Sequence, residues 1–186
     1  DRAGGWRFRL TSDDGASLRV GGYEVVRDPG PHSPAQAEGS IDLPVGWAPI
    51  EIVHYDNSGG ETLKLEWLAP RASLWTTVPA DVLCHVAVNE IPAECEPGLS
   101  AAYYSFQGAL SSMPVFSSFE PVAARVVARI DQPSTDEAWT DAPSSLLDRF
   151  GAVYSGFVRV PRSGAWNVTL ESDDGSRLWI DGNLVI

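Results

Sequence analysis

The chain has 186 residues, 44% of them hydrophobic, which is enough for a sizeable core in one large or two small domains. Its net charge is −12 and Lys64 is its only lysine, which argues against binding to nucleic acid, whose phosphates require clustered basic residues. No segment reaches the roughly 18 consecutive apolar residues of a membrane span, so none is predicted.

The sequence contains an internal repeat, because residues 6–26 and 166–186 match at a single offset of 160 residues without a gap. The identities fall on turn positions and on alternate strand positions, as expected for two copies of one structural element. They include Trp6 and Trp166, Leu10 and Leu170, Leu18 and Leu178, and Ser-Asp-Asp-Gly in both copies. Two partial tandem repeats of one module are therefore predicted.

Each copy reads as short strands around an acidic turn. Trp6, Phe8 and Leu10 alternate with polar residues, which is the period of a strand with one buried face. In Ser-Asp-Asp-Gly, aspartate can bond its own backbone and glycine accepts a positive φ. Later in each copy, Gly21-Gly22 and Asp181-Gly182 predict two-residue hairpins.

Between the copies, strands are predicted at residues 50–55 and 63–67, joined by Asp56-Asn57-Ser58-Gly59-Gly60, a connection rich in oxygen atoms. Residues 27–40 hold three prolines and predict an irregular loop. Further strands are predicted at 101–106 and 122–130, then a loop over 131–143 and a helical turn over 144–150. Short strands with almost no helical period predict an all-β antiparallel β-sandwich.

Cys84 and Cys95 are the only cysteines. They flank a short proline-containing segment, so a disulfide between them could clip the join between the two repeat-bearing parts in an oxidising compartment. Two buried thiols are the alternative, and we favour the disulfide because the acidic, turn-rich composition suits an extracellular β-protein.

The succession of strand, Ser-Asp-Asp-Gly, Leu-x-Val/Ile strand and x-Gly-x-x-Val/Ile resembles the PA-fourteen domain, the fourteen-kilodalton domain of anthrax protective antigen, yeast flocculins and adhesins. Tyr103-Tyr104, Trp139 and residues 154–164 follow the family's order from its first strand to its acidic turn. Residues 50–67 match its closing strands. The resemblance implies a PA-fourteen-like sandwich.

Against this family, residues 1–83 correspond to the later part of a first domain, 84–97 to a linker and 98–186 to the earlier part of a second domain. Each part then needs a complement, because half a sandwich leaves an open edge and an uncovered core. The chain could belong to a longer tandem array, or separate chains could complement each other head to tail. In a third arrangement, residues 98–160 fold back on 1–83 as a circular permutation that leaves the second acidic turn as a duplicate.

The acidic turn could bind a cation. Adjacent carboxylates in a strand point to opposite faces, so a sharp turn is needed to bring Asp13 and Asp14 onto one ion. Ca²⁺ suits this oxygen-rich set of ligands. The alternative is a β-turn without metal, in which aspartate caps its own amides.

The resemblance implies more about this site. In lectin-like members, paired aspartates and an asparagine after a Val-x-Tyr-x-Asn strand hold calcium, which binds vicinal sugar hydroxyls. The matching segment here is Val53-His54-Tyr55-Asp56-Asn57. The resemblance therefore implies that Asn57 binds calcium together with Asp13 and Asp14. Asp173 and Asp174 carry the second copy of the turn, as an incomplete site.

Other candidate site residues are Trp47 and Trp139, predicted in loops where they could stack on a sugar, and Asn167, which begins an Asn-Val-Thr glycosylation sequon. Motifs of catalytic nucleophiles, phosphate loops or metalloproteases are absent from the sequence, so an enzyme is not predicted.

The sequence therefore predicts an extracellular or cell-surface module for carbohydrate binding or adhesion, with Ca²⁺ as cofactor and glycans as partners. The alternative is a structural repeat that binds other copies of itself and builds a linear homopolymer in an extracellular filament or matrix.

Overall fold

The computed structural model describes residues 9–12, 16–20, 23–28, 34–69, 72–86, 95–135, 137–172, 175–180 and 183–184. These residues form strands joined by loops, with two short 3-10 helices at Ala80–Val82 and Phe116–Ser118. The strands of the first half are β1 Arg9–Ser12, β2 Ala16–Val20, β3 Tyr23–Asp28, β4 Ala35–Leu43, β5 Gly46–Asp56, β6 Glu61–Leu68, β7 Thr76–Thr77 and β8 Leu83–His85. Those of the second half are β9 Glu96–Pro97, β10 Leu99–Ser105, β11 Ala123–Val127, β12 Asp131–Thr135, β13 Phe150–Val160, β14 Gly164–Ser172, β15 Gly175–Ile180 and β16 Asn183–Leu184.

Two sheets pack face to face. The first has the order β1-β4-β14-β6-β12 with β7 beside β6, and the second has the order β11-β10-β13-β5-β15-β16-β2-β3 with β8 and β9 beside β13. Among the described strands, β1 and β14 form the one parallel pair. The predicted all-β antiparallel sandwich is therefore confirmed.

The strands of the two sequence parts alternate within both sheets. β5 pairs with β13 over eleven positions, from Asp56 opposite Phe150 to Gly46 opposite Val160. β6 pairs with β14 in the other sheet, with Leu65 opposite Leu170. Strands β12 and β13 of residues 98–160 thus pair with strands of the first half, as in the third arrangement, but β14 and β15, which flank the second acidic turn, also lie within the two sheets.

Both acidic turns connect the two sheets, because β1 and β14 lie in the first sheet while β2 and β15 lie in the second. We call β1 with β2 the first arch and β14 with β15 the second arch. The predicted two-residue hairpins follow each arch, since Val20 pairs with Tyr23 and Ile180 pairs with Asn183. The turn residues between those partners lie outside the described part.

The core lies between the sheets and is built from the alternate residues of each strand. Ile50 and Ile52 of β5 face it together with Tyr154 of β13 and Leu178 of β15, which lie in register with Ile52. The outer face of β5 is covered as well, because Phe116 packs over Gly151, the partner of Tyr55. A Cβ at Gly151 would lie 2.6 Å from the Phe116 ring, so this close packing requires glycine. Two-sided coverage explains why β5 is buried continuously from Ile52 to Asp56.

The predicted disulfide between Cys84 and Cys95 is confirmed, with a Cα–Cα distance of 5.6 Å. It fastens β8 to the segment that enters β9, and Cys84 also pairs with Phe157 of β13. The cross-link therefore ties the join between the two sequence parts to the second sheet.

Three local predictions are wrong. The loop predicted over 131–143 begins with a strand, since Asp131–Thr135 is β12 and pairs with β6. Residues 144–149 form a turn and bends rather than a helical turn, and Phe150 begins β13. The Leu146 amide donates to the Pro143 carbonyl at 3.0 Å, and Arg149 has a positive φ of 52°. One hydrogen-bonded turn does not nucleate a helix without further stabilisation. The irregular loop predicted over 27–40 ends early, because β4 begins at Ala35.

A polar cluster lies in the core beside β10 and β13. The Tyr103 and Tyr154 rings are 6.2 Å apart, and the Gln132 side-chain amide donates to the Asp141 carboxylate at 2.7 Å. Burial raises the pKa of Asp141, and burial followed by the Asp141 charge raises the pKa of Tyr103. Burial, followed by the charges of Tyr103 and Asp141, raises the pKa of Tyr154.

Asp141 should make stability depend on pH. Because its folded pKa lies above the ordinary 3.8, the folded state holds the proton more tightly, and the free energy of unfolding falls as pH rises through the folded pKa. Asp141→Asn should therefore have a higher melting temperature than wild type at pH 7, with the difference shrinking near pH 4. Thermal unfolding at both pH values measures this, with Asp81→Asn at an exposed position as control. Parallel pH profiles for Asp141→Asn and wild type would contradict the prediction.

Candidate functional site

Several strand ends meet at one end of the sandwich. β5 ends at Asp56, the loop 57–60 follows, and β6 begins at Glu61. Ser172, the last residue of β14, pairs with Leu63, and Gly175, the first residue of β15, pairs with Tyr55. We call this the Asn57 end. The residues that flank the second acidic turn therefore pair with the strands that border the Asn57 loop.

Asp173 and Asp174 lie outside the described residues, as do Asp13 and Asp14. The strand before the first turn ends beside the strand before the second, with Ser12 opposite Ser172. On β5, however, the described partner of β2 is Ile50, whereas β15 pairs along Ile50 to Tyr55. The flanks of the second turn are thus nearer to Asn57 along β5 than those of the first.

The Asn57 loop is held by neighbouring segments. The Asn57 side-chain oxygen accepts a hydrogen bond of 2.6 Å from the Leu110 amide, and the Gly59 amide donates to Asp148 Oδ1 at 3.2 Å. Gly59 has a φ of 114°, a backbone conformation that favours glycine. An amide oxygen has two lone pairs, so Asn57 can accept one bond from Leu110 and still offer oxygen density to a cation.

Polar residues are buried beneath this loop. His54, Asp56, Glu61, Thr62 and Ser176 are all buried, and Ser176 lies opposite His54. The Thr62 hydroxyl donates to the Gln132 carbonyl at 3.0 Å, and each of the other four residues also has an interaction partner. Burial of polar groups is unfavourable unless they are paired.

The opposite end of the core is apolar, lined by Leu43, Ile50, Trp67, Val78, Val158 and Val160. The core thus changes from apolar to polar along β5. This gradient distinguishes the Asn57 end from the opposite end of the core.

Neither predicted sugar-stacking tryptophan is placed to stack on a sugar, because Trp139 lies in a loop but is buried and Trp47 lies in β5. Trp139 is 3% exposed, with its ring 5.0 Å from His54 and 5.3 Å from Phe150, so it offers no face to a sugar. Trp47 is half-buried within β5, opposite Arg159. Ten residues of strand separate it from Asn57, a distance of about 30 Å. Trp139 is therefore a core residue, and Trp47 cannot stack on a sugar held at Asn57.

The remaining predicted features are placed as follows. Asn167 lies within β14 opposite Leu68, and its modification stays a prediction. The described ranges contain no group of three or more His, Cys, Asp or Glu side chains that could hold a metal ion. Nor does any helix in that part of the chain have the length and hydrophobicity to cross a membrane.

Leu110 and Asp148 were not predicted as part of this site. Leu110 contributes only its backbone, and Asp148 reaches the loop from a segment about 90 residues away, so the sequence carries no local signal for either contact.

The second half runs from the disulfide through β10 and β13 to an arch that carries Ser-Asp-Asp-Gly. Residues 95–186 match the PA14 domain, the PA-fourteen family. PA14 domains are often carbohydrate-binding or adhesion modules of extracellular proteins, although some PA14 proteins are enzymes such as glycosidases. No curated protein and no solved structure matched the chain.

The PA14 match includes the second acidic turn but excludes β5, β6 and Asn57. Those two strands nevertheless lie directly beside the second arch, one in each sheet. The disulfide is consistent with the extracellular occurrence of PA14 domains.

Proposed function

We propose that the chain is an extracellular glycan-binding or adhesion module, and that its ligand site is the Asn57 end. The observation that supports this is the pairing of Ser172 with Leu63 and of Gly175 with Tyr55. Through these pairs, both flanks of the Asp173-Asp174 turn lie beside the strands that lead into and out of the Asn57 loop. Because PA14 is mainly a family of binding and adhesion domains, we propose a binding module rather than an enzyme.

Ca²⁺ is the proposed cofactor. It takes six to eight oxygen ligands in flexible geometry, and carboxylates, side-chain amides and backbone carbonyls all qualify. Asp173, Asp174 and Asn57 would hold it, with carbonyls of residues 58–60 as further ligands. A bound Ca²⁺ would supply open coordination positions for vicinal sugar hydroxyls. The Leu110 amide would orient the Asn57 oxygen for this role.

The assignment differs from the sequence-based one, which grouped Asn57 with Asp13 and Asp14. These two aspartates carry the same ligand chemistry in the first arch and remain candidates for a separate metal site. The described part of the chain supplies no second Val-x-Tyr-x-Asn strand end to complete it.

The two turns allow a matched test. Asp174→Asn should weaken calcium-dependent glycan binding by at least about 100-fold, since it removes a charged metal ligand. Asp14→Asn, the same change in the equivalent turn, should leave that binding within about twofold. Titration calorimetry with Ca²⁺ and a glycan array with Ca²⁺ or chelator measure both steps.

Asn57→Ala should behave like Asp174→Asn, provided that circular dichroism shows the folded state. A loss of binding in Asp14→Asn but not in Asp174→Asn would refute the assignment of the second turn. A wild-type chain that binds neither Ca²⁺ nor any glycan in a calcium-dependent way would refute the lectin function.

The alternative function is a structural repeat in an extracellular filament or matrix. The observation that favours it is the side-by-side pairing of the two copies, with Leu10 opposite Leu170. A linear homopolymer should appear as filaments with a regular axial repeat in electron micrographs of native material. Monodisperse particles would reject this alternative.

A further inference from the structure

The second arch pairs with β5 and β6, and the first arch also pairs with β5. The second arch fills the position between the sheets in which β14 pairs with β6 and β15 pairs with β5. We call this position the arch slot. Its contacts include Leu178 opposite Ile52 and Ile180 opposite Ile50.

The first arch already touches the arch slot in the same register. Val20 of β2 pairs with Ile50, which is also the partner of Ile180, the residue 160 positions later. A ladder continued from the Val20 pair would bring Leu18 opposite Ile52, where Leu178 now lies. Replacement of the second arch by the first would therefore require no shift of register along β5.

The strand β1 lies between β4 and β14, two strands that also pair directly with each other in a compatible register. Near its start, β14 pairs directly with β4, with Trp166 opposite Ile41. Further along, β1 lies between them, and Leu10 pairs with both Ala37 and Leu170. The register of Trp166 with Ile41, extended by four residues, makes Ala37 and Leu170 direct partners. Withdrawal of β1 would thus let β4 close onto β14 without a slip.

The first arch has the residues that the arch slot requires. Leu178, Ile180 and Val168 of the second arch are buried in the core. Their equivalents in the first copy are Leu18, Val20 and Phe8, all apolar. Burial of apolar surface and an unbroken backbone ladder are the interactions that hold a strand in a sandwich.

We propose that the arch slot accepts either arch, so that the first arch of one chain can fill the arch slot of a second copy of this chain. One chain has two arches and one described slot, and the arch outside its own slot is a fitting partner for the slot of another copy. Exchange of equivalent elements forms dimers at a low cost in free energy, because the same contacts are re-formed. The proposal does not depend on sugar or metal binding, and a dimer satisfies it without a filament.

Cysteine trapping between two separately made chains tests the exchange. Glu171 of the second arch lies opposite Lys64, so Thr11, its equivalent, would lie opposite Lys64 of the partner after exchange. Before exchange, Thr11 pairs with Glu171, which itself pairs with Lys64, so β14 separates Thr11 from Lys64 within one chain. Because the two cysteines are placed on separate chains, a disulfide between them reports a contact between chains.

A Thr11→Cys chain mixed with a Lys64→Cys chain should form a disulfide-linked heterodimer under mild oxidation, seen on a non-reducing gel. The control replaces Lys64→Cys with Arg159→Cys, an exposed position on β13 outside the arch slot. The heterodimer yield with Lys64→Cys should be at least about fivefold higher than with the control.

Adding Leu178→Asp to the Lys64→Cys chain should raise the yield further, because a charge at this buried position expels the second arch from the slot. Circular dichroism shows whether the chain with Leu178→Asp is folded. If it is unfolded, the yields with Lys64→Cys and with Arg159→Cys, both without Leu178→Asp, are compared at increasing protein concentration. A yield equal to that of the Arg159→Cys control at every concentration would overturn the proposal. Loss of glycan binding with retained cross-linking would refute only the proposed function.

Discussion

Phe150→Ala is expected to lower the free energy of unfolding by about 3–5 kcal/mol, the range for removal of a large aromatic side chain from a core. Phe150 is 1% exposed and meets the Trp139 ring edge-on at 5.3 Å. It also lies 5.7 Å from the His54 ring, so the cavity would open beneath the Asn57 end. Urea unfolding followed by tryptophan fluorescence measures the change.

Phe119→Ala is the matched control, because Phe119 is 47% exposed and loses much less buried surface. We expect it to cost less than half as much as Phe150→Ala. Similar losses for both variants would show that the core around Trp139 and His54 is not packed as described.

Loss of the Cys84–Cys95 disulfide should destabilise the fold by about 3 kcal/mol, the chain-entropy value for a loop of this length. The two cysteines are 11 residues apart in sequence. For a chain of this size, the melting temperature should fall by about 6–12 °C. Differential scanning calorimetry of the double variant Cys84→Ala, Cys95→Ala measures the effect.

Reduction provides the control for this prediction. Wild type in dithiothreitol should approach the double variant, whereas the variant itself should not respond to the reductant. Because Cys84 is buried, any extra loss in the variant over the reduced wild type would report lost packing rather than the lost cross-link. Equal melting temperatures for oxidised and reduced wild type would contradict a stabilising disulfide.

The sequence predicted those strands whose residues carry the signal themselves. Ile50–Tyr55 and Leu63–Trp67 alternate around a core face, and they lie within β5 and β6. The glycine-rich pairs that predicted tight hairpins lie between paired residues such as Ile180 and Asn183. Local turn chemistry and period-two patterning suffice where a strand and its partner are close in sequence.

Other strands owe their conformation to their partners. β4 has the sequence AQAEGSIDL, with few β-branched residues, and it is extended because β1 and β14 provide hydrogen-bonding edges. β12 contains Pro133, which lowers its strand signal, yet it pairs with β6 at the border of the first sheet. Neither partner can be identified from local sequence.

The candidate site shows the same limit. The residue types around Asn57 were predicted from the sequence, but their grouping depends on which acidic turn meets β5. That choice is made by the pairing of Gly175 with Tyr55, which are 120 residues apart. The burial of Trp139 against Phe150 and His54 likewise depends on tertiary packing, since its proline-flanked segment reads as an exposed loop.

The β5–β13 ladder has a kinetic consequence. Its partners are separated by roughly 100 residues of chain, and the same holds for β6 with β14. Such pairings require closure of a long loop, and its entropy cost comes before the contacts that stabilise the pair can form. Folding is therefore expected to take milliseconds to seconds. The short covalent ring between Cys84 and Cys95 shortens this search very little, and newly made chains would spend that interval with β-edges open to one another.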